Sequence, residues 1–184
     1  MLSGRRLDLL DPSPLDVEIV DIAHGLARVA RWNGQTRGAH AFSVAQHCVV
    51  VERLAHELRP GLAREARMAA LLHDAPEYVI GDLISPFKAA VGIDYKDFEQ
   101  KLLAAIHIRF GLAPRQPAEL AALIKRADRL SAFHEATQLA GFGPAEARRF
   151  FGRPPPLLRT PKLVPLATED AEQQFLERFR RLAI

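Results

Sequence analysis

The sequence predicts an all-α, single-domain protein on three observations. Apolar residues recur at helical spacing along nearly all of its 184 residues. No alternating β-branched run of strand length stands out among them. Gly and Pro punctuate the periodic segments at spacings that suit helix ends and short loops.

"SPLDVEIVDIAHGLARVARW" predicts a first helix, with Ser13 as its N-cap and Pro14 at the first helical position. Asn33-Gly34 then supplies turn chemistry for a loop. A second helix is expected over about 42–59, ending before Pro60-Gly61, and a third over about 63–75. Pro76 disfavours helix for the residue before it. "GDLISPFK" reads as a turn leading into a short helix. Longer helices are expected over about 95–110, ending at Gly111, and about 117–140, ending at Gly141, with a short one at "PAEARRFF". "GRPPPLLRTPKLVP" reads as an extended strap without a core of its own. Thr168 is expected to cap the last helix, with Glu169 and Asp170 in its first turn. The chain thus reads as one domain over 1–184, with its motifs in about 13–140 and a C-terminal strap and helix in about 141–184.

Composition narrows the function classes. Apolar content of 48% with 26% charged residues is ordinary for a globular protein. A formal charge of +3 and a pI near 9.3 favour anionic ligands only gently. Arg and Lys are dispersed, without the dense stripe or reading motif of a duplex binder. No window approaches a membrane span, and the start lacks an apolar stretch of signal-peptide length. The single Cys48 leaves no intrachain disulfide. A cytoplasmic protein with no nucleic-acid or membrane partner is expected.

The chemistry concentrates in "LLHDAPEYVIGD", where an apolar run ends in His73, Asp74 and Glu77. His73 and Glu77 are four apart, and Asp74 and Glu77 three apart, so a continuous helix puts all three on one face. His47 lies in the apolar setting "SVAQHCVVVERL", and Asp128 in "LIKRADRLSAF". Taken singly, each suits a packed or solvated residue. Brought together from three helices, His47, His73, Asp74 and Asp128 make an N₂O₂ donor set for a divalent transition metal, open to water.

The order His47, His73-Asp74, Asp128 resembles the H…HD…D signature of the HD superfamily of metal-dependent phosphohydrolases. Arg31-Trp32 ahead of the first His, "HDAPE", "GDLISPFK" and "KRAD" are similar to the bacterial 5′-deoxynucleotidase branch and its small relatives. The resemblance covers about 13–140 and implies an HD-type helical bundle, a homodimer and one divalent metal (Mn, Co, Fe, Zn or Ni). It implies the four metal ligands named above. Glu77 would orient water or act as acid/base, with Arg31 on the phosphate. Asp82 and Ser85 would face sugar or phosphate, Lys88 would add a charge, and Trp32 would shape the nucleoside pocket. On the residues alone, Trp32 suits core as well as pocket, and Lys88 a solvated helix. Gln46 stands where that branch carries Glu, a departure bearing on substrate positioning. His40 competes with His47, but the family spacing of about fifteen residues from Arg31 selects His47. His24, His56, His107 and His134 are assigned to surface and packing.

The implied activity is phosphate release from nucleotides, 5′-deoxynucleoside monophosphates first. Deoxynucleoside triphosphate hydrolysis and a non-catalytic nucleotide- or metal-binding sensor are the alternatives.

Overall fold

A computed structural model describes residues 1–83, 95–156 and 158–183. Its helices are α1 (Ile19–Arg28), α2 (Val44–Leu58), α3 (Arg64–Leu71), α4 (Glu77–Ile80), α5 (Tyr95–Arg109), α6 (Ala118–Gln138), α7 (Pro144–Phe151) and α8 (Thr168–Leu182). Among the described residues, the pairing of Ala30 with Ser43 is the one β-type bridge. The all-α expectation holds.

Helix α2 is the axis of the bundle and packs against α1, α3, α6 and α8. On one side Val44, Cys48 and Val49 join Ile22 and Leu26 of α1, Leu102 and Ile106 of α5, and Phe175 of α8. On another, Val51, Leu54 and Ala55 meet Ala69 and Ala70 of α3 and Ile124, Ala127 and Leu130 of α6. With neighbours on so many sides, α2 also buries Gln46, His47 and Glu52. Buried polar groups of this kind persist only where partners satisfy them.

Local chemistry explains where the helices differ from expectation. Ser13 caps only a 3₁₀ turn at Pro14–Asp16, its Oγ accepting from Leu15 N. Val17 is extended and fully buried, so α1 starts afresh at Ile19. Helix α3 stops at Leu71, short of the expected 75, and 72–76 form successive turns. Pro76 has no N–H for the Leu72 carbonyl and its ring crowds that oxygen, so the helix cannot run on. Ala167, not Thr168, occupies the cap position of α8 and gives no side-chain hydrogen bond. Most of "GDLISPFK", with Ser85 and Lys88, lies outside the described residues.

Gly25 sets how closely α1 and α4 approach. A Cβ there would lie 2.6 Å from the Tyr78 carbonyl oxygen and 2.8 Å from Tyr78 Cβ. Only a residue without one lets the segment carrying Glu77 lie against α1.

The strap over 152–167 is held by two glutamines. Gln46 Nε2 donates to Val164 O at 2.9 Å, and its Oε1 accepts from Leu166 N at 3.1 Å. Gln138 repeats the pattern, donating to Pro161 O and accepting from Leu163 N. Each amide thereby satisfies one strap carbonyl and the backbone N–H two residues further on.

Candidate metal centre

The site begins with how the backbone aims its ligands. Ser43 caps α2, accepting from Gln46 N, and the helix then carries His47 into the interior. The turn after α3, not a helix face, delivers His73 and Asp74. That corrects the expectation that His73, Asp74 and Glu77 share one helical face: Glu77 begins a separate helix, α4. Asp128 comes from the middle of α6.

These pieces converge. Ligand atoms of His47, His73 and Asp128 all lie within 4.8 Å of one another. Asp74 Oδ2 is 3.4 Å from His47 Nε2 and 3.2 Å from His73 Nε2, and Asp128 Oδ1 is 3.3 Å from His47 Nε2.

The outer face of each imidazole fixes its tautomer. His47 Nδ1 is 2.6 Å from Glu135 Oε1, and His73 Nδ1 is 3.0 Å from Ala70 O. Both partners accept only, so both Nδ1 atoms carry a proton, and in the neutral imidazoles both Nε2 atoms present lone pairs. Neither buried Nε2 has a hydrogen-bond partner. Two lone pairs thus confront two carboxylates at 3.2–3.4 Å. Four acceptors do not sit together without a cation or protons between them. Two imidazole nitrogens and two carboxylate oxygens suit a divalent transition ion, so the residues fit the metal.

Without an ion, protons take that place. Burial pushes the His47 imidazole down and Arg31 adds to this, but Glu135 and the facing carboxylates of Asp128 and Asp74 hold it well above its usual value. Burial opposes the His73 imidazolium too, and Asp74 outweighs it. The Asp74 carboxyl, raised by burial, is held well below its usual range by His73 and His47. Metal binding must displace these protons. Burial raises the neighbouring Cys48 thiol, which keeps it neutral rather than a thiolate ligand.

Glu135 organises the wall behind His47. It is fully buried, and besides the imidazole it accepts from Ser131 Oγ at 2.7 Å, Trp32 Nε1 at 2.9 Å and Arg31 Nε at 3.2 Å. Burial raises its carboxyl, but His47, Arg31 and Ser131 keep it ionised, well below the usual range. The sequence reading missed both Glu135 and Ser131. The available signal was spacing, since Asp128, Ser131 and Glu135 recur at three and four residues on one face of α6.

Arg31 reaches the site because Arg31 N donates to Phe42 O and Val44 N to Val29 O, pinning this segment beside the start of α2. Arg31 Nη1 pairs with Asp82 at 3.0 Å, so Asp82 engages the arginine. Burial opposes the guanidinium charge, yet Glu135 and Asp82 raise its pKa. Trp32 is left-handed, with φ 56°, a conformation that costs a bulky residue energy. Its hydrogen bond to Glu135 and its contacts with Phe142 and Phe151 hold it there. Glu77 is buried at the start of α4. His40 is exposed and outside the cluster. His107 and His134 are buried, and burial lowers the pKa of each.

An all-α bundle with this His/Asp centre defines a class, and residues 44–132 match the HD domain family. The chain belongs to that family. It is similar to the uncharacterized protein RCAP_rcc00048 of Rhodobacter capsulatus, 60% identical over 158 residues, 86% of this chain and 81% of the relative. It is also similar to the uncharacterized protein YfdR of Escherichia coli, 31% identical over 176 residues, 91% of this chain and 85% of the relative. HD domains bind divalent metals, and the family points to metal-dependent phosphohydrolysis. Among the described residues, no helix is long and apolar enough to cross a membrane.

Proposed function

We propose that the protein is a metal-dependent phosphohydrolase of nucleotides, with His47, His73, Asp74 and Asp128 holding one divalent metal. The observation that carries this is the convergence of two imidazole Nε2 atoms and two carboxylates, 3.2–3.4 Å apart. The resemblance puts 5′-deoxynucleoside monophosphates first, with deoxynucleoside triphosphates as the alternative. A cytoplasmic homodimer of single-domain subunits completes the reading; light scattering giving a monomer mass would remove the dimer.

When bound, the metal polarises a phosphoryl oxygen and makes water a better nucleophile at neutral pH. The chain's own groups do the rest. Glu135 and the Ala70 carbonyl keep the two imidazoles in the ligating tautomer. Arg31 gives Nε to Glu135 and Nη1 to Asp82, and its Nη2, without a partner among the described residues, offers donors to phosphate oxygens. Glu77, four residues after His73, takes or returns the proton of the attacking water. By resemblance, Trp32 would shape the nucleoside pocket, Asp82 and Ser85 would face the sugar or phosphate, and Lys88 would add a charge.

The test is phosphate release from a panel of nucleotides, after chelation and after adding back Mn, Co, Fe, Zn or Ni. Activity should vanish on chelation and return with a divalent ion. His73→Ala and Asp74→Ala should lose bound metal, while His40→Ala keeps it. Turnover of dAMP should exceed that of AMP. Tight nucleotide binding with no phosphate release under any metal would favour the sensor reading instead.

A further inference from the structure

Helix α6 presents two different faces. Asp128, Ser131 and Glu135 lie toward the metal centre. His134, Thr137 and Gln138, three and four residues apart, line a separate cavity of about 350 Å³. Neighbouring residues stand about 100° apart on an α-helix, so His134 and Glu135 serve different spaces. Arg148 of α7, with Arg153, Pro155 and Leu158 of the strap, supplies the facing walls. Leu158 N donates to Pro155 O at 3.2 Å, closing a turn in that wall, and Gln138 ties the strap to α6 just beyond it. The volume is that of a small-molecule site.

The positive charge of the chain is concentrated here. Residues 141–167 carry Arg148, Arg149, Arg153, Arg159 and Lys162 against the single acid Glu146, a balance of +4 where the whole chain has +3. Elsewhere Arg5, Arg28, Arg67, Arg109 and Arg178 each pair with a glutamate. Arg148 and Arg153 form no ion pair with any described residue, and no Asp or Glu is among the described residues that line the cavity. Glu146 stands two residues from Arg148, nearly opposite it on α7. Glu135 is occupied by its four partners. His134 is buried, and its ring has no hydrogen-bond partner among the described residues. Burial keeps it neutral, so it brings one N–H donor. Two guanidinium groups and an imidazole thus face one space with no carboxylate to answer them.

We infer that this cavity binds a small organic anion, its phosphate or carboxylate head held by Arg148, Arg153 and His134 and its apolar body set against Phe133, Pro155 and Leu158. Arginine suits such heads because its fork of donors meets two oxygens at once. Proline offers no N–H and little freedom, which makes the strap a rigid apolar wall. The site requires neither the metal nor hydrolysis and can fail separately from both.

Calorimetry on the full chain tests it with phenylphosphonate, benzoate and uncharged benzyl alcohol as probes. At least one of the two anions should bind, with an affinity that falls as salt rises. Benzyl alcohol should bind at least about tenfold more weakly. The tighter of the two anions names the head group. Arg148→Gln/Arg153→Gln should keep its metal content and melting temperature, and bind that anion at least about tenfold more weakly. Arg149→Gln, which removes an exposed charge from α7 outside the cavity lining, should bind it as the wild type does. No binding of either anion, benzyl alcohol binding as tightly as the anions, or undiminished binding by the double variant would overturn the site. A loss of the same size in Arg149→Gln would also overturn it, as a general charge effect. Binding that disappears together with the metal in Asp74→Ala would place the anion at the metal centre and overturn the site as well.

Discussion

Glu52 and Glu135 are the same chemical group at the same burial, each fully enclosed on a long helix of the core. Their partners separate them. Glu52 accepts from Arg67 Nε of α3 at 2.6 Å and Arg178 Nε of α8 at 2.5 Å, so two guanidinium groups close around it. Those arginines reach the surface and stop there. Glu135 instead holds His47, Trp32, Arg31 and Ser131, and His47 passes its orientation inward to an Nε2 with no hydrogen-bond partner. One carboxylate staples three helices together. The other leaves an open valence in the middle of the fold. Burial of a charge therefore does not mark function by itself; a chain of partners ending in an unsatisfied atom does.

Glu77, a third buried carboxylate, offers the largest effect. Glu77→Ala should keep the metal and the fold yet lose about 10²–10⁴-fold in phosphate release, the usual worth of a positioned acid or base. Full activity in that variant would place Glu77 with Glu52 as a structural group.

Glu52→Ala should come next, and in stability. Removing one partner of a buried ion pair typically costs about 3–5 kcal/mol. Arg67 and Arg178 keep some solvent access, which puts the loss toward the lower end. Denaturant titration should show it, while metal content of the folded fraction stays stoichiometric. Metal loss without destabilisation would erase the contrast with Glu135.

Glu135→Gln sharpens the contrast from the other side. One oxygen of Glu135 serves Trp32 and Arg31, both donors, and the other serves His47 and Ser131. If the amide oxygen faces the donors, its NH₂ faces His47 Nδ1 and drives the proton to Nε2, removing the ligand lone pair. Metal affinity should fall about 10–100-fold, read by competition with a chelator. Unchanged affinity would show that Glu135, like Glu52, is only a staple.

The smallest effect concerns the strap. Gln46→Glu keeps the acceptor for Leu166 N but sets a carboxylate oxygen against Val164 O. A buried acceptor facing an acceptor costs about 1–3 kcal/mol. The melting temperature should drop and proteolysis within 152–167 should quicken, with metal content unchanged. Lost metal would move Gln46 from the strap to the centre. The strap, which needs an amide that both donates and accepts, gives Gln46 its role in this chain, where the branch it resembles carries Glu.

The sequence by itself determined the helical class, because 3.6-residue periodicity and Gly/Pro punctuation are local properties of the chain. It also determined which residues are candidates for the centre, because His47, His73, Asp74 and Asp128 are costly to bury and fall into a recognisable order. Tertiary structure decided the rest. Only packing around α2 makes Glu52 and Glu135 differ, since a partner more than a hundred residues away, such as Arg31 or Arg178, leaves no periodic trace. Only the failure of α3 at Leu72 turns His73 and Asp74 inward from a turn. Only the packing of α7 and the strap beside α6 sets His134, Arg148 and Arg153 around a common space. Hydrogen bonds and charges act across a few ångströms of space, and sequence records distance along the chain alone.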